Sequence, residues 1–347
     1  MATATAVSRD ERLAQTSTVR QLLIRPELGA AIGAVAVFVF FAVYTDQFAT
    51  ARGIGNMLDP AATLGIMAVV VALLMIGGEF DLSAGVMTAS SSLLIAGLTT
   101  KAGFNVWLAI PVALALGVAV GLLNGVLVVR TGLPSFIVTL GTFLALQGLN
   151  LGLTKRLTGI VQIAGVHRTE GYDSAFAVFA RTFSFLGGDF RITNLWWLVI
   201  TAVATWVLLR TRAGNWIFAA GGNPIAARSV GVPAARTKVA LFVTVSVTAA
   251  LVGSMQVLRL KSAQADQGVG DEFQFIIAAV IGGCLLTGGY GSAIGAAIGA
   301  LIFGMAKQGI VFAGWDDKWF MLFLGLLLLS ATLLNHYVRR RAEVARR

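Results

Sequence analysis

Long apolar runs free of charge alternate with short polar breaks along almost the whole chain. They occupy residues 29–45, 60–78, 82–100, 102–129, 131–154, 192–209, 239–258, 273–306 and 319–337. A helix crossing roughly 30 Å of hydrocarbon needs about 20 such residues. The run at 273–306 is too long for one crossing and contains "TGGYGS"; division near Gly288 gives about ten spans. A membrane β-barrel would show short alternating strands instead. The pattern predicts an all-α polytopic membrane protein. One transmembrane domain covers 29–337, with a polar tail over 1–28 and a basic tail over 338–347.

Composition agrees. Of 347 residues, 57% are hydrophobic and 12% charged, about half the charge of a soluble domain. The net charge of +10 raises the question of nucleic acid. The basic residues instead sit at run boundaries and in "YVRRRAEVARR", which fits anchoring at a membrane face. The segment 210–238 holds Arg210, Arg212, Arg228, Arg236 and Lys238 with no acid, and the tail holds Arg339, Arg340, Arg341, Arg346 and Arg347. With ten spans these clusters share one side, so both termini and 210–238 are predicted cytoplasmic. The segment 155–191 then lies outside. Its Arg156, Arg168, Arg181, Arg191, Glu170, Asp173 and Asp189 suit either a protein partner or a solvated loop. Residues 1–28 show no apolar signal region, so the first span reads as an uncleaved anchor. One cysteine, Cys284 in an apolar run, leaves no intrachain disulfide and reads as packing. His167 and His336 have no metal-ligand spacing.

Small residues are dense within the spans, as in "GVAVGLLNG" and "GSAIGAAIGALIFG", and mark close helix contacts in lipid. "GG" recurs at 77–78 and 282–283, a hint of an internal repeat. Within 210–238, Asn223 and Pro224 start a short helix, and Gly231 with Pro233 ends it. That helix is either a topological connector or a docking element for a cytoplasmic partner.

"GGEFDLSAG" at 77–85 places Glu79 and Asp81 between two apolar runs. Three readings are open: a solvated turn, a proton or cation site, or a gating element in which Asp81 caps the next helix. The two acids are two residues apart and would not share a helix face, which argues against a paired acid and base. Ser90, Ser91, Ser92, Thr99, Asn124, Ser135, Thr139, Thr142, Gln147 and Asn150 supply neutral polar groups that suit a hydroxyl-rich solute, while isolated hydroxyls bond their own helix carbonyls. Asn124, an amide in mid-span, needs a partner on another helix or water.

"NPIAARSVGV" resembles the coupling segment of ABC-importer permeases, with Ala226, Ala227 and Gly231 at the spacing of its E-A-A-x-x-x-G core. Ile225 stands where the wider pattern has Glu. "AAGGNPIAARSVGV" is similar to the variant of ribose- and xylose-type sugar permeases. "GGEFDLSAG" resembles that branch's G-G-x-D-L-S-x-G block, with one extra residue before Asp81. "GLLNGVLV", "PSFIVTLGT" and "IAAVIGGCLLTGGYGSAIGAAIGA" follow in the same order. The resemblance covers about residues 60 to 335. It implies a type II importer-like fold in a bacterial inner membrane and a second permease subunit, the same chain or another. It also implies ABC ATPase subunits using ATP and Mg, and an extracytoplasmic sugar-binding protein. Gly222, Asn223, Pro224, Ala226, Ala227, Arg228 and Gly231 would meet the ATPase; Glu79, Asp81, Ser83, Ser90, Asn124, Ser135 and Thr139 would line or gate the path. No G-x-x-x-x-G-K-[ST] occurs, so this chain cannot bind ATP in the P-loop manner, and it is expected to bind no cofactor of its own. The expected function is import of a monosaccharide or related polyol by a non-enzymatic subunit. The alternative is a proton-coupled secondary transporter using Glu79 or Asp81.

Overall fold

The computed structural model describes residues 26–316 and 318–344. The N-terminal tail up to residue 25 and the last three residues lie outside them. The helices in chain order are α1 (Pro26–Tyr44), α2 (Ala51–Ile76), α3 (Ser83–Thr100), α4 (Val106–Thr131), α5 (Ser135–Thr158), α6 (Tyr172–Phe179), α7 (Thr193–Arg210), α8 (Arg212–Gly222), α9 (Pro224–Ser229), α10 (Ala234–Leu260), α11 (Asp271–Ile281), α12 (Ala293–Phe312) and α13 (Trp319–Val344). Four short strands pair as two antiparallel ribbons: β1 (Gln162–Ala164) with β4 (Ser262–Gln264), and β2 (Thr182–Phe185) with β3 (Gly188–Arg191).

Each expected apolar run contains a helix. Seven helices are long and apolar enough to cross a membrane: α1, α2, α4, α5, α7, α10 and α12. Hydroxyl-rich α3, eleven-residue α11 and α13, whose apolar part is Trp319–Ser330, fall outside that set. Helix α11 rises about 16 Å, half a bilayer core. The non-helical stretch 282–292 that follows packs on the backbone of Ile76 and Gly78. Such backbone is tolerated at membrane depth only against protein or water.

From residue 64 on, helix α2 is apolar on every face, and all of residues 64–76 are buried. A helix of that kind belongs at the centre of a bundle. Neighbours approach it through small residues. Trp197 of α7 lies on Gly65, and Gly304 of α12 lies on the Met57 carbonyl and Ala61. On α4, Gly117, Gly121 and Gly125 are four apart and let the backbone of α10 pass at Ser246, Val243 and Val239. Without a hydrophobic drive between helices in lipid, such close packing supplies the association.

Helix α2 begins at Ala51, nine residues before the charge-free run. Its Asp59 is held by Arg191 of β3 (2.9 Å) and by two hydrogen bonds from Arg259 of α10 (2.8 and 3.1 Å). Paired this way, a carboxylate can sit in a largely apolar helix. The segment 155–191 also folds back on the bundle. Strand β1 pairs with β4 after α10, and Tyr172 Oη donates to the Leu258 carbonyl (2.9 Å). These contacts define the hairpin end. The opposite end, reached where α2 stops at Ile76, carries Arg130, Arg210, Arg212 and Lys238 and is the basic end.

The recurring "GG" is a repeated piece of geometry. Gly77 and Gly282 end their helices at φ −68° and −66°, and Gly78 and Gly283 follow at φ +82° and +90°. Both pairs return N–H groups to the last helical turn: Gly77 to Leu73, Gly78 to Met75, Gly282 to Ala278 and Gly283 to Val280. A left-handed residue without Cβ makes this helix stop cheap. Cys284, after the second stop, is buried as packing.

Candidate functional site at the basic end

Residues 77–82 form an irregular break between α2 and α3, and every polar group they expose needs a partner. Helix α5 supplies two. The Phe80 N–H donates to Ser135 Oγ (3.1 Å), and the Leu82 N–H donates to Thr139 Oγ1 (3.1 Å). Asp81 Oδ1 accepts from both the backbone N–H (2.8 Å) and the hydroxyl (2.5 Å) of Ser83. Asp81 thus accepts from the first N–H of α3, in line with the capping reading among the three left open, while the boundary residue Leu82 makes no side-chain cap. Asn124 of α4 donates through Nδ2 to Ser83 Oγ (3.0 Å) and accepts at Oδ1 from Thr142 of α5 (2.6 Å). One chain of donors thus runs Thr142, Asn124, Ser83, Asp81 across three elements. The amide in mid-span has its interhelical partners, as its burial cost demands.

The two carboxylates face different neighbours. Glu79 forms a short ion pair with Lys238 in the second turn of α10, both side chains largely buried. Asp81 turns inward; its Oδ2 is buried with no hydrogen-bond partner among the described residues. No shared acid–base site is built, as the spacing indicated. Glu79 was the acid without a role in the sequence, and Lys238 was one basic loop residue among several. A lysine just before one apolar run and an acid just after another was the available signal.

Ser90 stays apart from this cluster. It donates to the Val86 carbonyl of its own helix (3.1 Å), the bond expected of an isolated hydroxyl. Glu79, Asp81, Ser83, Asn124, Ser135, Thr139 and Thr142 are brought together.

The cluster abuts the segment 210–238 through glycines. Gly221, near the end of α8, packs on the Ile76 carbonyl at the end of α2. Gly289 donates its N–H to that same carbonyl (2.8 Å), and Gly288 lies on Gly78. Three breaks, after α2, after α8 and between α11 and α12, meet backbone to backbone. No local signal in the sequence pairs 221 with 289.

Helix α9 projects beyond this junction. Asn223 Oδ1 accepts from the N–H groups of Ile225 (3.1 Å) and Ala226 (3.0 Å), and Pro224 occupies the first turn. Gly231, at φ +83°, ends the turn after Val230. Ala227 is buried against the bundle, while Ile225 and Val230 are 78% and 79% exposed. Two bare aliphatic side chains on a short capped helix form a knob suited to a socket on another protein.

Residues 53–332 match the family model described as "Branched-chain amino acid transport system / permease component". The ribose import permease protein RbsC of Escherichia coli (strain K12) is 31% identical over 309 residues, covering 87% of this chain and 92% of that protein. The fructose import permease protein FrcC of Rhizobium meliloti is 30% identical, covering 89% of this chain and 84% of its own length. The ribose import permease protein RbsC of Bacillus subtilis (strain 168) is 31% identical, covering 90% and 93%. No solved structure matches the chain significantly. A multi-pass bundle with a glycine-locked junction under a projecting helix is thus accompanied by a family match over most of its length, and the chain belongs to this family of transport-system permease components.

Proposed function

We propose that this chain is the membrane-spanning permease subunit of an ATP-driven importer in a bacterial inner membrane. Its cargo is a monosaccharide or related polyol, handed over by an extracytoplasmic binding protein. The ribose and fructose permeases among its relatives support that substrate class. Neutral hydroxyls and amides around the break agree, since a neutral solute needs hydrogen bonds and no counter-ion. Two copies, or this chain with a similar one, would form the pore. ATP and Mg are used by separate ATPase subunits.

One observation carries the mechanism: an unbroken set of contacts joins the exposed knob to the polar cluster. Helix α9 leads through Pro233 into α10, α10 holds Lys238, Lys238 holds Glu79, and Glu79 lies two residues from Asp81 and its network. In this reading the basic end is cytoplasmic. Closure of the ATPase dimer presses on Ile225 and Val230, α10 shifts Lys238, and the break at 77–82 moves with it. The path then opens between small-residue helices that pack on backbone contacts.

Ile225→Asp together with Val230→Asp tests this directly. Both side chains are exposed, so the variant should insert and melt like the parent. Removal of two apolar anchors should weaken ATPase capture at least tenfold and abolish ATP-dependent uptake in vesicles. Normal uptake by that variant, or by a chain lacking 222–231, would sink the coupling role.

The unpartnered Asp81 Oδ2 favours a second reading, a proton-coupled secondary transporter. Uptake that survives ATP depletion and collapses with an uncoupler would establish it. On the reading proposed here Asp81→Asn lowers folding yield, because the cap at Ser83 weakens, and leaves the pH dependence of residual uptake unchanged.

A further inference from the structure

Between α7 and α10 lies an apolar slot of about 630 Å³ that the contacts above leave unused. Val70 and Leu73 of α2 form its floor, Val203 and Val207 of α7 one wall, and Ala240 and Thr244 of α10 the other. Val203 and Thr244 are exposed at its mouth. Thr244 returns its hydroxyl to the Ala240 carbonyl (2.8 Å) and Thr237 to the Pro233 carbonyl (3.1 Å), so these two hydroxyls need no polar ligand. The one charged group of the lining stands at one end, where Trp216 of α8 and the exposed Arg236 close the slot toward the basic face. Among the described residues Arg236 has no carboxylate partner.

We propose that this slot is a binding site for one anionic phospholipid of the leaflet at the basic end. The acyl chain lies between α7 and α10, and the phosphate meets Arg236 beside Trp216. Both helices cross the membrane, so a slot opening between them at that depth is offered to lipid. The placement of its charged group matches a lipid's own division into tail and headgroup. Indole and guanidinium at the end of an apolar groove are the groups that settle at the headgroup level. A single arginine near an anionic headgroup gives about a fivefold preference.

The site has a consequence for the segment 210–238. Its roof is α8 and the first turn of α10, the two elements that flank α9. An acyl chain filling the slot braces both, so lipid occupancy stiffens the support of the knob. That consequence rests on the coupling role proposed above; the binding does not.

The test uses the full chain in nanodiscs with phosphatidylglycerol carrying a photoactivatable acyl chain. Crosslinks are expected within 199–207 and 237–248. Arg236→Gln should reduce the preference for phosphatidylglycerol over phosphatidylcholine about fivefold while leaving the crosslink in place. Thr244→Trp, or the milder Ala240→Leu, should fill the slot and remove the crosslink at unchanged melting behaviour. Labelling confined to other faces overturns the proposal. So does a wild-type slot protected from label because a second copy covers it, seen as a dimer that Thr244→Trp converts to monomer. Crosslinking that persists when Ile225→Asp and Val230→Asp abolish uptake would separate the lipid site from the coupling role.

Discussion

Gly221→Ala is expected to cost about 3 kcal/mol or more, while Gly222→Ala one residue on is nearly neutral. The sequence alone treats these two glycines alike. In the structure a methyl group on Gly221 would fall on the carbonyl oxygen of Ile76 and press on the N–H of Gly289. Both are backbone atoms at the end of a buried helix, so neither rotates away. The collision would also break the Gly289 N–H bond (2.8 Å) that satisfies the Ile76 carbonyl, leaving a buried acceptor unpaired. A methyl on Gly222 would meet only Gly289 Cα at 3.9 Å, an ordinary contact. Thermal unfolding of the purified variants in one detergent gives the comparison. Equal melting of the two variants would mean that the three breaks do not meet as described. Loss of Gly221 should also lower uptake more than membrane insertion, because the junction joins the segment 210–238 to the end of α2.

The second large effect is expected at the pair of Glu79 and Lys238. Removal of one partner leaves the other charge largely buried and unpaired, which typically costs about 3–5 kcal/mol. Lys238→Met and Glu79→Leu should each fall in that range. The double variant should recover most of the loss, since apolar side chains of similar volume carry no desolvation debt. The cycle separates structure from transmission. If the pair only stabilises the fold, uptake returns together with stability in the double variant. If it transmits motion from α10 to the break, stability returns and ATP-dependent uptake does not. The mechanism proposed here requires the second outcome, read as melting temperature against uptake per inserted chain. Additive single losses would show that the two groups do not interact.

These two effects differ in how visible they were beforehand. Both charges stand in plain view in the sequence, one in "GGEFD" and one in "AARTK". Their pairing across 159 residues does not, because nothing local encodes which buried cation meets which buried anion. The glycine junction was less visible still. Glycine is abundant at 40 residues, and only backbone proximity distinguishes the few that nothing else can replace.

What the sequence determined by itself was everything that depends on one segment and its solvent. Apolar runs of sufficient length must become buried or lipid-facing helices, and a helix was found in each. Asn223, Pro224 and Gly231 specify their own short helix through capping and backbone preference, and α9 forms where they place it. Asp81 accepts from a neighbour two residues away, one of the three readings its sequence left open. Tertiary structure decided everything that depends on two distant segments sharing a volume. It extended α2 past Asp59, because arginines from β3 and α10 compensate the charge. It halved the crossing at 271–281, because a Gly-rich stretch could be sheltered against other backbone. It drew Ser83, Asn124, Ser135 and Thr139 into one network and left Ser90 bonded to its own helix. Local sequence fixes hydrogen bonds a few residues long, whereas burial leaves long-range polar groups no alternative but one another.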